Sequence, residues 1–102
     1  MSLLGTEYKI SIHLDEIDGY HMSDYDFEAS VYVFKNKEVK IGKQEMKRED
    51  DDNYLLVIDT EKAMVIGRGA VNVEVTAYVP DADFGDGTRT EIIKFMNVKK
   101  IE

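Results

Sequence analysis

From residue 71 to residue 79 every odd position is apolar: Val71, Val73, Val75, Ala77 and Val79. The even positions between them are Asn72, Glu74, Thr76 and Tyr78. Side chains on a strand alternate between its two faces, so this period of two predicts a strand with one buried and one wet face. Pro80 follows, where a strand must stop donating ladder hydrogen bonds. Residues 81–88 are rich in Asp and Gly, and residues 91–98 are again apolar at intervals, so the region predicts a long β-hairpin. In the turn, Gly85 and Gly87 are expected to supply the positive-φ positions.

The rest of the chain reads the same way. Tyr8, Ile10, Ile12 and Leu14 alternate with polar residues and predict a first strand. Residues 15–19 form an acidic, turn-like break. A second strand is expected over residues 26–34, with Phe27, Ala29, Val31 and Val33 on one face. Tyr32 and Phe34 on the other face suggest that this end is covered on both sides. Residues 38–46 predict a weaker strand with Val39 and Ile41 in phase and a bulge at Gly42. Its charges mark it as an edge. Residues 47–53 read as a solvated loop. Residues 54–58 are apolar at every position, as in a central strand covered on both faces. Asp59 and Thr60 can cap a short helix through Met64, closed by Gly67. The count is six strands, or seven, and the fold class is an all-β, antiparallel sandwich.

At 102 residues the chain is expected to be one domain, residues 1–6 being a flexible N-terminal segment. Its 43% apolar content suits a packed core, and the absence of cysteine excludes disulfides and thiolate metal sites. No apolar run approaches the roughly 18 residues that cross a bilayer, and residues 1–5 lack the basic and apolar regions of a secretory signal. The net charge of −8 repels phosphate backbones and anionic lipid, which argues against nucleic-acid and membrane-surface roles.

Several side-chain groups invite a chemical reading. Asp81, Asp83, Asp86 and Glu91 surround a Gly-containing turn, and calcium takes six to eight such oxygens. Counted from Asp81, the acids fall at positions 1, 3, 6 and 11, which departs from the EF-hand spacing. Asp and Gly are also the residues that hairpin tips need for backbone reasons. Asp15, Glu16, Asp18, Asp24 and Asp26 form a second acidic group with His21 among them, and residues 49–52 are four consecutive acids. Either group reads more simply as a solvated loop. His13 and His21 lack zinc spacing, and Ser11, Ser23 and Ser30 lack a nucleophile elbow. Gly67 and Gly69 flank Arg68 without the lysine of a phosphate loop. The tyrosines suit a binding platform for protein or sugar. Tyr32 and Tyr78, with Glu74 and Thr76 on the wet strand face, form the expected interface.

The order of residues 54–75, strand, short turn with a hydrophobic plug, Gly67, strand, resembles immunoglobulin-like sandwich modules. The hairpin from Asp81 to Glu91 resembles that of the immunoglobulin-like N-terminal domains of phage baseplate and tail proteins. The chain departs from antibody-type domains: it has no cysteine pair and no tryptophan, and Ala70 and Val71 stand where a corner tyrosine often occurs. The resemblance implies a non-catalytic structural or adaptor role, exercised through protein partners or self-association, in the cytoplasm or in a virion. The other expectation from the residues is a small ligand-binding module.

Overall fold

The structure is a computed structural model, and it describes residues 7–101. The expected flexible segment 1–6 lies outside the described residues. Seven strands and one helix follow in order: β1 (Tyr8–His13), β2 (Asp26–Tyr32), β3 (Val39–Gly42), β4 (Lys47–Asp50), β5 (Asn53–Ile58), α1 (Thr60–Ile66), β6 (Gly69–Pro80) and β7 (Thr88–Ile101). They form two antiparallel sheets, β1-β5-β4 and β3-β2-β6-β7. In immunoglobulin-type sandwiches, strands with these neighbours are lettered B-E-D and C′-C-F-G. The all-β sandwich read from the sequence is the fold observed.

The core lies between the sheets. Phe27, Ala29, Val31, Val71, Val73, Val75, Ala77 and Val79 face it from one sheet. Ile10, Ile12, Tyr54, Leu56 and Ile58 face it from the other. Asp59 accepts a hydrogen bond from the Lys62 amide and starts α1. The helix crosses between the sheets and plugs that end with Ala63 and Ile66, both fully buried. It runs one turn-fraction past the expected Met64 and stops at Gly67, whose φ of 85° and ψ of −174° suit glycine almost alone.

Several expectations need correction. Residues 47–50 are a strand, β4, and not a loop. All four of its residues are exposed, so no buried face imprinted a period on the sequence. Among the described residues strand β5 is covered on one face only: Val57, on the outer side of the three-stranded sheet, is 38% exposed. Strand β2 ends at Tyr32, and Phe34 projects into solvent at 59% exposure. The strand expected over residues 38–46 is only Val39–Gly42: Gly42 ends β3 in regular register without a bulge, and Lys43–Glu45 turn as a 3-10 helix. In the hairpin turn Gly87 has positive φ and Gly85 does not. The hairpin itself is longer than read: β7 begins at Thr88, opposite Pro80, and continues to Ile101. It has a register shift opposite Asn72, where Asn97 takes a φ of 54°.

Candidate functional site

Strands β2 and β6 pair so that Ser30 opposes Glu74, Glu28 opposes Thr76, Asp26 opposes Tyr78 and Tyr32 opposes Asn72. The four residues expected at an interface, Tyr32, Glu74, Thr76 and Tyr78, therefore share the outer face of the four-stranded sheet. On β7, Ile92 stands beside Thr76 and Lys94 beside Glu74. Here Ile92 and Met96 are 57% and 60% exposed.

Lys35 organises the polar part of this face. Its ammonium donates to Glu38 at 2.7 Å and to Glu74 at 2.9 Å, and it lies 4.8 Å from the Tyr32 ring centroid. The Ser30 hydroxyl also donates to Glu38. The Tyr78 hydroxyl donates to Glu28 at 3.2 Å. Between these groups lies a shallow cavity of about 110 Å³. The Lys35 ammonium, followed by the Ser30 hydroxyl, holds Glu38 below the usual carboxylate range. A general base works best with a pKa near the operating pH, so this shift runs opposite to what proton abstraction requires. Burial, then the Glu28 charge, pushes the Tyr78 phenol up.

The β1–β2, β4–β5 and β6–β7 connections gather at one end of the sandwich. The Leu14 amide donates to the Asp52 carbonyl at 3.2 Å and the Ser23 amide to that of Asp51 at 3.0 Å. Arg89 joins the hairpin to the first connection: its guanidinium meets Asp18 at 2.5 Å, Asp81 at 2.8 Å and Glu91 at 2.9 Å. Of the four acids expected to hold a cation, Asp81 and Glu91 are thus brought together, through an internal cation. Asp83 and Asp86 are exposed and not part of that group. Asp86 accepts from the Thr88 amide, and Asp81 from the Asp83 amide, both at 3.0 Å. Among the described residues no three His, Asp or Glu side chains converge as a metal site. Sequence reasoning missed Arg89 and Lys35 as organising groups. Period two places Arg89 and Glu91 on one side of β7, a usable signal, but Asp18 is 71 positions from Arg89.

The run 49–52 is held by neighbours and is not merely a wet loop. Glu49 accepts from Ser11 at 3.0 Å, and Asp51 from Ser23 at 3.1 Å and from Arg48. The three serines considered as nucleophiles all donate to carboxylates. Asp52 faces the Nδ1 of His21 at 2.9 Å. His13 lies 3.1 Å from Asp15 and 3.0 Å from the Asn53 side chain. The bond to Asp15, followed by that to Asn53, raises the His13 pKa, and the bond to Asp52 raises that of His21. A raised histidine contributes stability that is complete below its unfolded value, about 6.5, and is lost as pH rises through its folded value. Carboxylates held low, such as Asp50 and Asp51, act in the opposite sense at acidic pH. Denaturant midpoints are therefore expected to fall as pH rises from about 6.5 through the raised folded values of the two histidines. A His13→Asn, His21→Asn double variant should lose that slope. NMR titration midpoints at or below the free histidine value would refute the assignment.

A second, more apolar cavity of about 300 Å³ opens between the end of β1 and the inward face of β7. Leu14, Ile17, Ile93 and Phe95 form its wall, with Asp15 and Glu16 at the rim. The outer edges of β1 and β7 have no strand partner among the described residues. Comparison of the chain with protein-family models, with curated proteins and with solved structures gave no match.

Proposed function

We propose that this chain is a non-catalytic structural or adaptor module that works through protein–protein contacts, of the kind that builds a phage-type tail or baseplate. The observation that carries the reading is the outer face of the four-stranded sheet, which no further layer covers among the described residues. There Ile92 and Met96, both largely exposed, share the face with the half-buried Tyr32 and Tyr78. Exposed apolar and aromatic side chains within a polar rim are the composition of contact surfaces. The polar groups around them are tied to one another, by Lys35 above all, which holds the surface in one shape. A pre-ordered surface loses less conformational entropy when it binds.

Light scattering after size exclusion tests the reading. Association of the wild-type chain, weakened in Tyr78→Glu and Tyr32→Glu with the melting temperature kept, is the expected result. Unchanged assembly in both variants would exclude this face as the interface. The second reading, a cation held by Asp81, Asp83, Asp86 and Glu91, requires calcium to raise the melting temperature, because a ligand that binds only the native state must stabilise it. Arg89 already occupies the space between Asp81 and Glu91, so the expected calcium shift is nil.

A further inference from the structure

Strand β7 is the longest in the molecule and forms one edge of its larger sheet. Its hydrogen-bonding groups on the side away from β6 have no strand partner among the described residues. An open edge of this kind is a template for a further strand.

Its charge is opposite to that of the molecule. The chain carries a net −8, yet β7 has Arg89, Lys94, Lys99 and Lys100 against a single acid, Glu91. Arg89 is engaged by three carboxylates, while Lys94 and Lys99 are exposed and carry no ion pair among the described residues. Lysines on an edge discourage pairing with a neutral or basic strand. Lys94 lies on the outward face, opposite Glu74, and favours an acidic side chain there, because opposite charges on facing positions attract; Lys99 lies in the inward phase, opposite Val71. A second β7 bears the same lysines and is disfavoured by that rule.

The groove adds an independent constraint. Ile93 and Phe95 point inward from β7, and the cavity between them and Leu14 and Ile17 lies directly under the free edge. A strand added to β7 would send alternate side chains to the two sides of the sheet. Inward ones would enter this cavity, and outward ones would lie beside Ile92, Lys94 and Met96. An apolar cavity of roughly 150 Å³ accommodates a benzene ring, so about 300 Å³ has room for a large aliphatic or aromatic side chain.

We propose that the free edge of β7 receives an extended segment of a partner protein as an added strand, apolar on its inward side and acidic on its outward side. The inference rests on the reading of the chain as a protein-contact module and names the edge and the chemistry of the partner. The probe is a synthetic peptide of about ten residues alternating Val and Glu, within the usual length of a strand, with a Val and Lys peptide as its counterpart. Titration calorimetry should show binding of the acidic peptide only, weakened by salt. Hydrogen exchange should show new protection of β7 amides. Lys94→Glu changes one exposed, outward position and should retain the wild-type fold. It should weaken the acidic peptide severalfold and admit the basic one. Failure of the acidic peptide to bind, equal binding of both peptides, or protection confined to other strands would overturn the proposal. If the edge fails while Tyr78→Glu still weakens assembly, the protein-contact reading stands without it. If both assays are negative, both fall.

Discussion

Val75→Asp is expected to leave no folded protein. Val75 is fully buried at the centre of β6, opposite Ala29 of β2 on one side and Ile93 of β7 on the other. A carboxylate placed there has no cation within its layer of the core. The effective cost of burying an unpaired ion is several kcal/mol, on the order of the total stability of a domain, about 5–15 kcal/mol. The variant should be insoluble or show no cooperative melting by circular dichroism. Ile92→Asp is the control: it lies on the other face of the hairpin, largely exposed, and should melt near the wild type. A soluble Val75→Asp with a sharp transition would overturn the assigned strand phase.

Phe27→Ala should cost about 3–5 kcal/mol, the usual range for emptying a buried aromatic site. Phe27 is 1% exposed, and its ring meets that of Tyr54 edge-on at 5.0 Å and that of Tyr25 at 6.1 Å. The Lys43 ammonium lies 5.6 Å from the Phe27 centroid and 5.8 Å from that of Tyr54. It is held there by the carbonyls of Ser23 and Tyr25, at 3.2 and 2.7 Å. Removing the ring therefore opens a void between the two sheets and deprives the lysine of one of its aromatic neighbours. The Tyr25 hydroxyl in the same cluster has no partner among the described residues, and burial pushes its pKa up to about 12. At about 4–8 °C per kcal/mol for a domain of this size, the melting temperature should fall by more than about 10 °C. A loss below about 1 kcal/mol would mean that Phe27 does not bridge the sheets.

Where one face of an element is buried and the other wet, the residues announce it. Strands β1 and β6 were legible for that reason, since Ile10, Ile12, Val73 and Val75 alternate with polar neighbours. The helix was legible through Asp59 and Gly67, because caps act on the adjacent backbone and depend on nothing distant. Strand β4 was not legible, since an edge strand with both faces in water has no apolar period. The one-sided cover of β5 was hidden for the converse reason: in sequence an exposed Val57 looks like a buried one, and only the packing of the described residues tells them apart.

The candidate surfaces divide along the same line. That Tyr32, Glu74, Thr76 and Tyr78 point outward followed from strand phase alone, because phase is a local property of the chain. That Lys35 would reach Glu74, and Arg89 Asp18, depended on the pairing of sheets and on which loops share an end. Such contacts join residues far apart in sequence, and no short-range pattern encodes them. The sequence by itself determined the strand class, the inward faces and the caps. The tertiary structure alone decided which carboxylates found a cation, which strand became the free basic edge, and where an apolar groove was left beneath it, since each depends on distances that only the packed sheets set.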